Sequence, residues 1–196
     1  MTKIKAIIFD LNGVFLTSDF FSQRIEDKFG VNKDFFFQEL KKVMDVARTP
    51  GRTSSDIWQP LADLVHLSIP EFLDFWYSGE KLNLEMMNFA KDLKNNGYKI
   101  YVLSNSLKER VEYYHQHFPQ LFDLFDDIYF STETGFVKPD PKCFEYIFTK
   151  NNLQKTDCLY IDDSPDHVEA AINFGINSAL FENLSQTKEF IEKNNK

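Results

Sequence analysis

Ile4-Lys5-Ala6-Ile7-Ile8-Phe9-Asp10-Leu11-Asn12-Gly13-Val14 is the stretch that decides the fold of this chain. The apolar, β-branched run over 4–9 predicts a buried strand, and it stops abruptly at a carboxylate, Asp10, followed by the turn-forming pair Asn12-Gly13. A strand ending this way presents Asp10 at the carboxyl edge of its sheet, where open α/β sheets bind ligands. Taken alone, the same pattern is equally an ordinary strand whose Asp opens a turn. Three later strand ends decide between the two.

From Asn83 onward the pattern alternates. A helix to 95 stops at Gly97, and an apolar strand over 99–103 ends in Ser104-Asn105-Ser106. A helix over 107–117, a short strand near 128–130, the run Val137-Lys138-Pro139-Asp140-Pro141 and a helix to 150 follow. The strand over 158–161 ends in Asp162-Asp163-Ser164-Pro165-Asp166; its helix reaches 174, stopped by Gly175, and a strand over 178–181 precedes a final polar helix. Strands alternating with helices predict a parallel, Rossmann-like sheet covered on both faces, a three-layer α/β sandwich.

Residues 16–81 read differently. Ser18 is a candidate N-cap for a helix to 29 stopped by Gly30, and a second helix over 33–48 carries Phe36, Leu40, Val43 and Ala47 at helical spacing. After a loop over 49–55, Ser55 or Asp56 caps a third helix to 66, and Pro70 opens a fourth to 77. No candidate strand is evident there, so 16–81 is expected to be a helical insertion into a core made of 1–15 and 82–196.

At 196 residues the chain can form one sizeable core, or one core with a small inserted domain. An apolar fraction of 43% and an aromatic fraction of 16% fit a packed globular protein. The net charge of −8 argues against a nucleic-acid surface, since phosphate backbones are held by clustered Lys and Arg. Cys143 and Cys158 have neither metal-type nor redox-type spacing and are expected as reduced core thiols. No signal-peptide or membrane-spanning run is present, making the cytoplasm the default location.

In a parallel sheet the strand ends share one edge, so Asp10, Ser104, Lys138 and the Asp162-Asp163 pair are expected to converge. Several carboxylates in one cleft repel one another unless a divalent cation neutralises them. A hard, oxygen-ligated ion such as Mg²⁺, bound by one or two carboxylates plus substrate phosphate, fits that requirement. The chemistry suggested is phosphoryl transfer to Asp10 through an acyl phosphate. Ser104 and nearby N–H groups would hold the transferring oxygens, and Lys138 would offset the charge.

These segments resemble the four motifs of the haloacid dehalogenase superfamily: Asp10-Leu11-Asn12-Gly13-Val14, Leu103-Ser104-Asn105, Val137-Lys138-Pro139 and Tyr160-Ile161-Asp162-Asp163-Ser164-Pro165-Asp166. The resemblance spans the chain, and the insertion is similar to the family's C1-type cap, a lid over small substrates. It implies a Mg²⁺-dependent phosphatase of a small phosphorylated metabolite. Asp10 would be nucleophile and metal ligand, Asn12 would offer its main-chain carbonyl to the metal, and Asp162 would complete the metal shell. Asp163 and Asp166 would be direct or indirect partners of the ion, and Leu11, Asn12, Ser104, Asn105 and Lys138 would surround the phosphate. Substrate identity and oligomeric state are not written in the sequence.

The chain departs from the family at Asn12, where its phosphatases carry the Asp that protonates the leaving group and then activates water. An amide has no proton to exchange near neutrality, and losing such a group costs about 10² to 10⁴ in rate. Asn12 is therefore an introduced trap, the natural residue of a binding or regulatory descendant, or a sign that another group serves as acid and base. Asn-Gly is also prone to deamidation, a slow route to a carboxylate. A phospho-ligand-binding pseudo-phosphatase is the main alternative to an impaired enzyme. A 2-haloacid dehalogenase fits the acidic fourth motif less well, and a phospho-acceptor receiver domain carries its acidic pair after the first strand rather than a late one.

Other residues are set aside. Arg52 is expected as a solvated loop residue, and His115 and His117, two apart on a helix, do not face one another. His167 reads as a bystander of the fourth motif. Trp58 and Trp76 are expected in the core of the insertion.

Overall fold

The computed structural model describes residues 4–47 and 55–195; Arg52 and most of its loop lie outside them. In chain order the elements are β1 (Ala6–Phe9), β2 (Leu16–Ser18), α1 (Phe21–Phe29), α2 (Lys33–Ala47), a 3₁₀ turn (Asp56–Trp58), α3 (Gln59–Leu64), α4 (Ile69–Tyr77), β3 (Glu80–Leu82), α5 (Leu84–Asn95) and β4 (Lys99–Ser104). They continue with α6 (Lys108–His117), α7 (Gln120–Leu124), β5 (Asp127–Phe130), α8 (Ser131–Thr134), α9 (Pro141–Asn151), β6 (Cys158–Asp162), α10 (Pro165–Phe174), β7 (Asn177–Leu180) and α11 (Leu184–Asn194).

Five strands form a parallel sheet in the order β5-β4-β1-β6-β7. Alternate residues of each strand face opposite layers. Ile7 and Phe9 pack with Val102, Ile161 and the α5 residues Met86, Met87 and Ala90, whereas Ala6 and Ile8 pack with Tyr160 and the α9 residues Phe144 and Ile147. Both faces are thereby dry, which explains why β1 is apolar throughout. The α/β sandwich expected from the sequence is present.

The four helices between β2 and β3 share a third apolar cluster centred on Phe36, Trp58, Leu61 and Phe72. Trp58 is fully buried, and Trp76 stacks on Phe21 at 4.7 Å, so both indoles serve as core. Arg24 of α1 donates to the Phe75 and Trp76 carbonyls at 2.7 and 2.9 Å, placing a cation on the negative end of α4. Ser68 and Glu71 close a capping box at the other end of that helix.

Three local expectations are corrected. Residues 16–81 are not wholly helical, because β2 and β3 pair antiparallel, Leu16 opposite Leu82 and Ser18 opposite Glu80, forming a two-stranded base under the helices. Ser18 therefore ends a strand, and α1 begins at Phe21 without a side-chain cap. The third helix opens as a 3₁₀ turn and ends at Leu64, with no cap bond from Ser55. Among the described residues no helix is long and apolar enough to cross a membrane.

Candidate active site

β4, β1 and β6 lie side by side, so Ser104, Asp10 and Asp162 reach the same edge of the sheet from adjacent strands. Lys138 arrives from the loop before α9. Its ammonium lies 2.8 Å from Asp10 Oδ1 and 2.7 Å from Asp162 Oδ2, and all three side chains are almost wholly buried. Asn105 pins that loop: its side chain accepts from Lys138 N and donates to Lys138 O, both at 2.8 Å. The turn after β1 is tight, with Gly13 N donating to Leu16 O at 2.7 Å. Gly13 adopts a φ of 87°, and a Cβ there would fall 2.0 Å from Asp163 Oδ2. Glycine at 13 thus lets the Asp163 carboxylate approach the first loop.

Asp10, Asp162 and Asp163 each offer a carboxylate oxygen within 4.8 Å of the others, the one such acidic cluster among the described residues. Burial pushes the Asp10 carboxyl above its ordinary range against the pull of Lys138, and the Asp162 charge adds to the rise. Burial, then the charges of Asp10 and Asp162, likewise raise Asp163. Two carboxylates that resist ionising beside a third are what a divalent cation relieves, and hard oxygen donors suit Mg²⁺.

Asp162 differs from its neighbours. Burial works to raise it, but hydrogen bonds from His167, Lys138 and Tyr160 outweigh that and hold it well below the usual carboxylate range. Ser164 N also donates to it at 2.8 Å, and His167 Nδ1 lies 3.1 Å from Oδ1. Its oxygens are engaged from several sides, and it anchors Lys138. Burial would strip the proton from Lys138, yet the two flanking carboxylates hold its pKa above normal, so the ammonium stays charged.

Asn12 is held by two contacts. Tyr114, fully buried on α6, donates to Asn12 Oδ1 at 2.7 Å, while Asn12 Nδ2 points at Ser104 Oγ, 3.4 Å away. Ser104 Oγ in turn lies 3.0 Å from Ser106 Oγ.

A model of the haloacid dehalogenase-like hydrolases matches residues 4–175. The chain belongs to that family. This haloacid dehalogenase-like hydrolase is 25% identical over 201 residues to a phosphatase of Mycobacterium tuberculosis, covering 95% of this chain and 91% of the relative. It is 23% identical over 202 residues to the D-ribitol-5-phosphate phosphatase of Bacteroides thetaiotaomicron, covering 92% and 93% of the two chains. It also matches pig bifunctional epoxide hydrolase 2 at 22% identity across 97% of this chain, although it spans only 38% of that protein. In fold, it superposes on a haloacid dehalogenase family enzyme of Bacteroides thetaiotaomicron, solved with magnesium and inorganic phosphate, with a TM-score of 0.79, 21% identity and coverage of 94% and 98%.

Within this hydrolase, Asp10, Asn12, Asn105, Lys138 and Asp163 line one cleft of about 640 Å³. Ser104 and Asp162 stand behind that surface, both almost fully buried, and Leu11 is buried with its N–H turned to the Asp10 carboxylate. Asp166 lines the cleft, and so does His167, which is no bystander given its bond to Asp162. His115 and His117 instead stack on Phe122 and Tyr113. Sequence reasoning missed Tyr160, His167, Tyr114, Glu80 and Arg110. His167 and Tyr160 carried a signal, one in the first turn of the helix after Asp162 and the other two residues before it on the same face of β6; Tyr114, Glu80 and Arg110 carried none, because their partners are remote in sequence.

Proposed function

We propose that the protein is a Mg²⁺-dependent phosphatase of small phosphoesters that works through an aspartyl phosphate at Asp10, with turnover limited by Asn12. The observation carrying this reading is the Lys138 ammonium bridging Asp10 and Asp162 at the mouth of β1 and β6. Asp10 and Asp163, with the Asn12 main-chain carbonyl, would hold the ion, and Asp162 would stand behind them as the anchor of Lys138. When bound, Mg²⁺ neutralises these carboxylates and a phosphate oxygen, keeping Asp10 ionised.

An Asp10 carboxylate oxygen attacks phosphorus, the bond to the leaving oxygen breaks, and the phosphoryl group passes to Asp10. Lys138 offsets the charge on the transferring oxygens. The leaving oxygen takes its proton from water, because the Asn12 amide has none to give. Water then attacks the acyl phosphate, restoring the carboxylate and releasing phosphate. The helices over 16–81 serve as a cap on a core of 1–15 and 82–196, and the β2–β3 ribbon is the join between them.

Asn12 also favours a second reading, a binding protein that has lost turnover. Asn12→Asp separates the two. An impaired enzyme gains about 10² to 10⁴ in Mg²⁺-dependent hydrolysis of a panel of phosphomonoesters. A variant that stays inert across the panel contradicts the enzyme reading.

A further inference from the structure

We propose that Arg110 reads the leaving group of the phosphoester, selecting an uncharged, hydroxyl-bearing group of the polyol kind over an apolar or a second anionic one. The inference rests on the phosphate-ester reading above. Arg110 of α6 and Glu80 of β3 line the same cleft as Asp10 and Lys138. Arg110 directs Nε and Nη2 at a single oxygen, Glu80 Oε1, at 2.7 and 2.5 Å. The Arg110 side chain keeps 18% of its surface exposed, whereas that of Glu80 keeps 1%. Among the described residues Nη1 makes no hydrogen bond, so that edge of the guanidinium is left for a ligand.

The charge of the pair decides which ligand. Arg110 and Glu80 cancel, so this wall of the cleft offers donors without net positive charge. The remaining charges around the cleft are Asp10, Asp163 and Asp166 against a Lys138 already paired twice. With Mg²⁺ and Lys138 taken up by Asp10, Asp162, Asp163 and the transferring phosphate, a second phosphate or carboxylate would meet that phosphate and Asp166 with no cation to spare. A hydroxyl oxygen accepts from Nη1 and donates in turn to the neighbouring Thr17 or Ser18, which also line the cleft. An alkyl group would bury the guanidinium edge unpaired, weakening binding about tenfold. Glu80 Oε2 is buried without a hydrogen-bond donor, and although Tyr114 lies near Glu80 its one phenolic proton is directed at Asn12. Glu80 is thus fixed chiefly by Arg110, and the two act as a unit.

Equilibrium binding in Mg²⁺ tests this with inorganic phosphate, ribitol 5-phosphate, ethyl phosphate and phosphoglycolate, phosphate release being followed in parallel. Ribitol 5-phosphate is expected to bind about tenfold tighter than ethyl phosphate or phosphoglycolate. Arg110→Met should abolish the preference while leaving inorganic phosphate affinity unchanged, and Glu80→Gln, which uncovers the positive charge, should raise phosphoglycolate affinity about tenfold. Because Arg110→Met strands a buried carboxylate, Arg110→Met with Glu80→Gln is the folded control and should also lack the preference. Inorganic phosphate binding with no preference for ribitol 5-phosphate, or a preference that survives both Arg110 variants, overturns the role of Arg110. No binding of inorganic phosphate overturns the phosphate site itself, and the inference with it.

Discussion

The Tyr114 hydroxyl donates to Asn12 Oδ1 at 2.7 Å, orienting the side chain that stands two residues beyond Asp10. The amide nitrogen is thereby turned to Ser104, and the main-chain N–H of Gly13 is separately held by Leu16 O. Deamidation of an Asn-Gly pair requires the glycine nitrogen to attack the amide carbon. Both groups are restrained here.

Asn12 is therefore expected to resist deamidation in the folded protein despite the glycine after it. Peptide mass mapping of aged protein should find Asn12 intact, with conversion accelerated in Tyr114→Phe, which should also lose about 1 kcal/mol of stability with the bond. Rapid conversion in the native protein contradicts the restraint.

Gly13→Ala tests the contact between the first and fourth motif loops. A side chain there must adopt a φ of 87° and displace Asp163 Oδ2 from 2.0 Å. The left-handed conformation alone costs about 1–2 kcal/mol. The variant is expected to bind Mg²⁺ far more weakly while keeping its secondary structure; unchanged Mg²⁺ titration in calorimetry contradicts the placement of Asp163.

Asp126 ties β4 to β5 and predicts part of the acid limb of stability. It accepts from Ile100 N at 2.9 Å and Lys99 Nζ at 2.8 Å, and although burial acts to raise its pKa, these bonds hold it below the ordinary value. A group with a lowered folded-state pKa contributes stability that is complete above its unfolded value and is lost as pH falls through the folded one. Below about pH 4, wild-type stability should fall more steeply than that of Asp126→Asn in urea titrations. Parallel acid limbs contradict this.

The strand ends were legible because each is an abrupt switch from apolar to polar at a sheet edge, which Asp10, Ser104 and Asp162 share. The two short strands were not. Three residues cannot display a period of two, and Leu16 finds Leu82 only after four helices intervene. The same limit hid Arg110–Glu80 and Tyr114–Asn12, pairs that join α6 to β3 and to the loop after β1 across long sequence separations rather than by local spacing. Asp162 and Asp163 read as equivalent neighbours in sequence. Period-two alternation at the end of β6 separates them, sending Asp162 into the sheet edge against Lys138 and Asp163 toward the cleft.

Asp10 as acceptor of a phosphoryl group is tested most directly by intact-mass spectrometry of this chain after incubation with Mg²⁺ and acetyl phosphate, whose leaving group needs no acid. Because Asn12 cannot activate water, the acyl phosphate should accumulate: a gain of one phosphoryl group per chain, mapped to Asp10, and absent in Asp10→Asn or in chelator. A chain that gains none, or that carries the group on another residue, contradicts the account.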